Sequence, residues 1–296
     1  GYGLYASGES CTLIAMANSG YTFTNWTENG SEVSTDMNYT FTVTGSRNLV
    51  ANFTYNGGGG GSSDGRFSVS ETKKVHFAPG NLQYKNGIWR FAEHQYDIAQ
   101  TSDGEWNTSD WIDLFGWGTW TGSSPNPYNT SLEDVDYSFS SADFQGSVAG
   151  YESYTWRTLT RDEWVYVFNI RSTPSGIRYA KAKVNELNGV ILLPDDWNAS
   201  TYALNSFNTE DADFSSNVIT ALQWMTMENA GAVFLPAAGW RYKTESCVVG
   251  LGGYYWSSYA ESYYAYFVHF VDDNLYASYA GSRHQGVSVR LVCSAE

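Results

Sequence analysis

Positive charge is scarce in this chain. Its 296 residues include 16 Lys and Arg against 31 Asp and Glu, a net charge of −15. The basic residues form no run. Nucleic-acid binding through phosphates needs clustered Lys and Arg, so a nucleic-acid partner is excluded. Such an acidic chain also suits an anionic membrane surface poorly. Long apolar runs are missing too. None approaches the ~20 residues of a membrane-spanning helix, so the chain is not expected to span a membrane. No signal-peptide pattern is present, and Gly1 opens in what reads as the middle of a strand pattern. The chain is therefore expected to be a piece of a longer precursor, with any lipid anchor in a preceding segment.

Cysteine and histidine are equally sparse. Cys11, Cys247 and Cys293 make no disulfide framework. Cys247 and Cys293 either pair or serve as small buried hydrophobes. The four histidines show no paired spacing such as HExxH. His269 and His284 lie near Asp272 and Asp273 in sequence, but solvated or ligand-contacting histidines fit this scatter better than a metal centre. Asp195-Asp196-Trp197 reads as a loop–helix cap rather than a cation site. Nucleophile-elbow, phosphate-loop and paired-carboxylate signatures are absent. No enzyme, metal or cofactor is expected.

What the chain has is aromatic bulk, 17% of residues, enough for a sizeable core. A glycine-rich stretch over 56–65 has maximal backbone freedom and reads as a linker. It separates a module at 1–55 from one at 66–296. The first module alternates apolar and polar residues at period 2 over 20–26 and 39–43, the mark of half-buried strands. Residues 10–16 and 48–53 complete its strands, and Glu28-Asn29-Gly30-Ser31 makes a turn. In the large module, 68–77 reads as a strand. Residues 81–84 and 88–92 form a hairpin about Lys85-Asn86-Gly87. Thr160 with Glu163 forms a capping box that opens a helix over 160–168. A second helix is expected from Ser216 to Asn229. Strands follow at 253–257, 266–271 and 287–292. The expected class is α+β, with a small all-β module in front.

Within the first module, "GYTFTNWTENG" and "LVANFT" resemble the Listeria–Bacteroides repeat, also called the internalin B-repeat. That resemblance implies a stalk or spacer in a secreted or surface-attached bacterial protein, and it carries over no catalytic residues. In the large module, "FAPGNLQY", "WRFAEHQYD", "DLFGWGT", "WRTLTRDEW", "LLPDDW", "AGAVFLPAAGWR", "GGYYWSS" and "RHQGVSVRLV" occur in order. Together they resemble the C-type lectin fold, in the branch of formylglycine-generating-enzyme-like domains found in Bacteroides-type bacteria. The enzymes of that branch bind copper through nearby C-terminal cysteines, and this chain departs from that pattern. The triplets of calcium-dependent sugar lectins are absent as well. A subset of this fold serves as the variable proteins of diversity-generating retroelements. Its diversified site is framed as here by Tyr254-Tyr255-Trp256-Ser257-Ser258 and by Arg283 to Val292. The resemblance implies an extracellular or cell-surface receptor or adhesin with a variable protein or glycan ligand.

Two features of the chain agree with such a site. Diversified AAY codons cannot become Glu, Lys, Gln, Met or Trp, which make up 43 of 296 residues. Composition predicts roughly four of them among the 26 residues from Tyr259 to His284, and only Glu261 occurs. The strand 266–271 also alternates faces. Tyr266, Val268 and Phe270 are expected inward, and Phe267, His269 and Val271 outward. Leu275 and Ala277 are expected inward, and Tyr276 and Ser278 outward. Tyrosine supplies wide amphipathic contact area at little entropic cost. The expected ligand contacts are Tyr259, Ser262, Tyr263, Tyr264, Phe267, His269, Val271, Asp272, Asp273, Tyr276, Ser278, Tyr279, Ser282 and His284. Tyr254, Tyr255, Trp256 and Tyr266 are expected to be scaffold. Arg283 and Arg290 are expected to be framework ion-pair partners.

Overall fold

The computed structural model describes residues 3–15, 17, 21–55, 65–122, 125–132 and 140–295. The glycine-rich linker expected over 56–65 lies outside the described residues, apart from Gly65. The end of the first expected strand, Met16, lies outside them as well.

The N-terminal module contains β1 (Ser10–Ile14), β2 (Tyr21–Glu28), β3 (Ser31–Ser34), β4 (Asn38–Thr42) and β5 (Leu49–Tyr55). β1 pairs with β4, and a second sheet runs β3-β2-β5. The β2–β3 connection is tight because Asn29 and Gly30 both take positive φ, 50° and 82°, as a type I′ turn requires. The module is small, and few of its residues are fully buried. Cys11, Ala15 and Trp26 are, and Phe23 packs edge-on against Phe53 at 5.7 Å.

The large module opens with β6 (Phe67–Ser68), β7 (Lys74–Phe77), β8 (Leu82–Lys85) and β9 (Ile88–Phe91). The expected strand over 68–77 is thus two short strands that pair with each other. The β8–β9 hairpin turns on Asn86 and Gly87, as expected. Short strands β10 (Gly104–Glu105) and β11 (Arg157–Thr158) precede α1 (Arg161–Val165). Then come β12 (Tyr179–Val184), β13 (Leu187–Leu192), β14 (Val218–Ile219), α2 (Ala221–Asn229) and β15 (Val233–Pro236). The chain ends with β16 (Trp240–Tyr242), β17 (Glu245–Cys247), β18 (Gly253–Glu261), β19 (Tyr264–Val271), β20 (Asn274–Ser282) and β21 (Leu291–Ser294).

The α+β expectation is corrected by this inventory. Strands hold 39% of the structure and helices 8%, so the chain is all-β. Both expected helices exist but are short. The Thr160–Glu163 capping box forms in both directions, and α1 then widens into a five-residue π-turn at Tyr166–Ile170. The second helix starts at Ala221 rather than Ser216, because Thr220 and Gln223 form their own capping box. Residues 214–216 make a 3-10 turn and 218–219 a strand instead.

The antiparallel sheet β18-β19-β20 is held between two cores. Tyr255, Val268, Phe270, Leu275 and Ala277 enter one core with Trp164, Phe168 and Phe77. Trp256, Ala260, Ala265 and Phe267 enter the other with Phe115, Val287 and Val289. Gly253 is required where β18 enters, because a Cβ there would lie 2.0 Å from the Phe270 ring. The last expected strand, 287–292, is shifted to 291–294. Residues 287 and 288 make only isolated bridges, to Phe115 and Tyr255.

Candidate functional site

The two-core arrangement sets which side chains of β18–β20 remain free. Registers pair Tyr254 with His269 and Trp256 with Phe267 across β18–β19. They pair His269 with Tyr276 and Phe267 with Tyr279 across β19–β20. These residues therefore share one face. At the Trp256 end that face is sealed by core. At the Tyr254 end it is open and lined by aromatic rings.

His269 is the centre of this open patch. Its ring stacks on Tyr254 at 4.6 Å and on Tyr276 at 6.0 Å, and Tyr279 meets it edge-on at 5.3 Å. Both imidazole nitrogens are covered and have no hydrogen-bond partner among the described residues. Burial, assisted by the Lys181 charge, holds the imidazole below its ordinary pKa, so it is neutral at physiological pH. Burial likewise pushes the Tyr254 phenol up to about 12. The rings border a concavity of about 420 Å³ lined also by Trp240, Tyr264, Phe267, Gly281, Ser282 and Gln285.

One expected contact changes role. Phe267 was expected to face out, yet it is 4% exposed. It packs edge-on against Trp256 at 5.2 Å and forms the floor of the concavity. The alternation was right about its face, but that face is covered by the second core at this point. The outward set otherwise divides in two. Tyr263, Tyr264, Tyr276 and Tyr279 are 67%, 53%, 43% and 46% exposed. Ser262 sits at the β18–β19 turn with φ 52°, and Ser282 faces Tyr264 across the sheet edge. Val271 flanks the patch beside Gly252.

Tyr259 and Ser278 belong to the opposite face. Register shifts in β18 between Trp256 and Ala260 and along β19–β20 between Phe267 and His269 re-aim them, as bulges do. Tyr259 packs on Tyr266 at 5.5 Å. Arg161 lies over Tyr266 at 4.7 Å and donates to the Ser278 hydroxyl at 3.1 Å. Asp272 and Asp273 lie in the β19–β20 turn. Asp272 accepts from the Phe214 backbone N–H at 3.1 Å, and its carbonyl accepts from Lys181 at 3.2 Å, which makes it an anchor of the turn. Asp273 accepts from Asn274. His284 is half-buried and meets Tyr242 edge-on at 5.9 Å.

The expectations for Tyr254, Arg290 and Asp195 change. Tyr254, expected as scaffold, is half-buried and walls the concavity. Arg290 has no carboxylate partner at ion-pair distance among the described residues. It is fully buried and donates to Asn81, Gln95 and the carbonyls of Ala78 and Phe234. Arg283 lies over Trp117 at 4.7 Å. Asp195 is not a helix cap but the centre of an ion-pair cluster with Lys74 and buried Arg171, and it also accepts from Ser68. All three cysteines are free. Among the described residues, no three His, Cys, Asp or Glu group as a metal site, and no helix is long and apolar enough to cross a membrane. Trp240, Gly281 and Gln285 were not expected at the site. Trp240 reaches the sheet only through the tertiary fold, whereas Gly281 lies in β20 itself and Gln285 just beyond its end.

Residues 1–57 match a family model described as a divergent InlB B-repeat domain. This agrees with the resemblance read in the N-terminal module. Residues 198–292 match a model described as a domain of unknown function, DUF8237. That segment contains the whole of β18–β20. No curated protein and no solved structure matches the chain.

Proposed function

We propose that this chain is an extracellular or cell-surface binding protein, a receptor or adhesin, that captures ligand on the β18–β20 sheet and performs no catalysis. The observation that carries the reading is the exposure of Tyr263, Tyr264, Tyr276 and Tyr279 on a sheet that Tyr255, Trp256, Phe267, Val268, Phe270, Leu275 and Ala277 anchor in two cores. Side chains that can vary without disturbing the core are what a permissive binding surface needs. The internalin-type repeat at 1–57 supports display on a stalk. The framing motifs and the near-absence of Glu, Lys, Gln, Met and Trp over 259–284 support diversification of this site by a retroelement.

Two experiments test the reading. The first is genomic. A near-copy of the codons for 255–292 should lie beside a reverse-transcriptase gene and differ only at adenines. Its absence leaves a fixed-specificity adhesin in place of a diversified one. The second is a variant with Tyr263, Tyr264, Tyr276 and Tyr279 all changed to Ala. Ligands captured by the parent chain on glycan and protein arrays should bind this variant about a hundredfold more weakly, as expected when aromatic anchors are lost. Its unfolding midpoint should stay close to the parent's, because these rings sit outside both cores. Undiminished capture by a folded variant sinks the proposal.

A further inference from the structure

The concavity beside His269 has a chemistry more specific than an aromatic patch. Its lining is aromatic and neutral polar, and includes Trp240, Tyr254, Phe267, His269, Ser282 and Gln285. None of these carries a formal charge in its ordinary state at neutral pH, apart from an imidazole that burial keeps neutral. This is unexpected in a chain of net charge −15. An ionic ligand entering here would be desolvated without a counter-charge in the lining, which is costly. The lining therefore selects against ions.

The polar groups present are all neutral. The Gln285 carboxamide lies against the floor, because a Cβ on Gly281 would fall 2.4 Å from Gln285 Oε1 and 2.6 Å from the Phe267 ring. Both Gln285 and Ser282 line the cavity and are half-buried. The Tyr254 phenol keeps its proton and can donate. Around these groups stand the exposed faces of Tyr264 and Tyr279. A volume of about 420 Å³ falls in the range of small-ligand sites. Aromatic faces beside neutral donors and acceptors match a ligand with an apolar C–H face and a hydroxylated edge.

We infer that this cavity holds one ring of an uncharged glycan, stacked on tyrosine and hydrogen-bonded by Gln285 and Ser282 without a metal ion. The inference rests on the binding reading above and names the ligand class for the same sheet. A protein epitope presenting Lys or Arg is the competing occupant. It would meet aromatic walls here but no carboxylate in the lining.

The test titrates the intact chain with methyl pyranosides of neutral hexoses and N-acetylhexosamines, and with neutral oligosaccharides. Saturation-transfer NMR and calorimetry read the binding, with an oligolysine peptide as charged comparator. A single ring should bind with a Kd on the order of 1 mM. The Kd should change less than about twofold between roughly 0.05 M and 1 M NaCl, since no ion pair is screened. Gln285→Ala should weaken binding about tenfold, the scale of one buried hydrogen bond. Gly281→Ala should do the same by displacing the carboxamide. Absence of any saccharide signal overturns the inference. So does a saccharide signal that Gln285→Ala and Gly281→Ala leave intact, or salt-sensitive capture of oligolysine alone. Capture of a protein through the four exposed tyrosines without saccharide binding overturns this inference while leaving the binding proposal standing. Capture indifferent to those tyrosines overturns both.

Discussion

Replacing Arg290 by Met is expected to cost about 4 kcal/mol of stability, the scale seen when a buried charged hydrogen-bonding group is removed and its partners are left unpaired. Arg290 is 0% exposed. Its Nε donates to Asn81 Oδ1 at 3.1 Å, its Nη1 to the Ala78 carbonyl at 3.1 Å, and its Nη2 to the Phe234 carbonyl at 2.7 Å. The network continues outward. Asn81 donates to the Tyr255 hydroxyl, which donates to the Pro236 carbonyl at 2.8 Å. Gln95, which also accepts from Arg290, donates to the Glu228 carboxylate at 2.8 Å. One guanidinium thus ties the approach to β21 to the β7–β8 connection, β15, α2 and the sheet that carries the site. Met fills similar volume but donates nothing, so the acceptors around it remain buried and unsatisfied. Arg290→Lys should lose somewhat less, because one ammonium cannot reach acceptors spread around a planar fork. Urea unfolding of parent and variants checks this. A loss under about 1 kcal/mol for Met would refute the argument.

Asp113→Asn is expected to act in the opposite direction, and to do so in a pH-dependent way. Asp113 is 1% exposed. Its Oδ2 accepts from the Ala99 backbone N–H at 2.8 Å, and its Oδ1 has no partner among the described residues. Burial pushes its pKa up from 3.8 to about 6, against the pull of the backbone N–H groups. A carboxyl with a raised folded-state pKa stabilises the fold when protonated. That contribution is complete below the unfolded pKa and is lost as pH rises through the folded one. The raised value corresponds to about 3 kcal/mol between those limits. Asparagine has no such titration. The stability of the variant relative to the parent should therefore improve by about 2 kcal/mol from about pH 4 to about pH 7. Denaturant midpoints at the two pH values measure the difference and cancel any fixed cost of the new amide. A difference independent of pH would show that Asp113 ionises freely in the folded chain.

Part of the β18–β20 sheet was legible in the sequence because strands obey simple rules. Alternation placed Tyr266, Val268, Phe270, Leu275 and Ala277 inward; Tyr266 is half-buried and the other four are buried. Turn chemistry at Asn86-Gly87 and the Thr160 capping box were readable for the same reason, since each involves residues close in sequence. What failed was of two kinds. The α+β class failed because amphipathic patches do not reveal how soon a helix stops. Thr220 and Gln223 cap later than the pattern begins, and α1 ends after five residues in a π-turn. Phe267 failed because alternation reports a face and says nothing about what covers it.

The sequence by itself determined an acidic chain with no run of basic residues and no long apolar run, a repeat-like N-terminal module, and a tyrosine-rich hairpin region near its C-terminus. Those properties rest on composition and on patterns a few residues long. Tertiary structure alone decided that the hairpin sheet would be clamped between two cores, so that one end of one face stays open. It also decided that bulges would turn Tyr259 and Ser278 to the other side, and that Trp240, Gly281 and Gln285 would complete a neutral cavity around His269. The reason is physical. Covering a sheet face requires segments as remote as Phe115 and Val287, and local sequence carries no record of which remote segment will arrive.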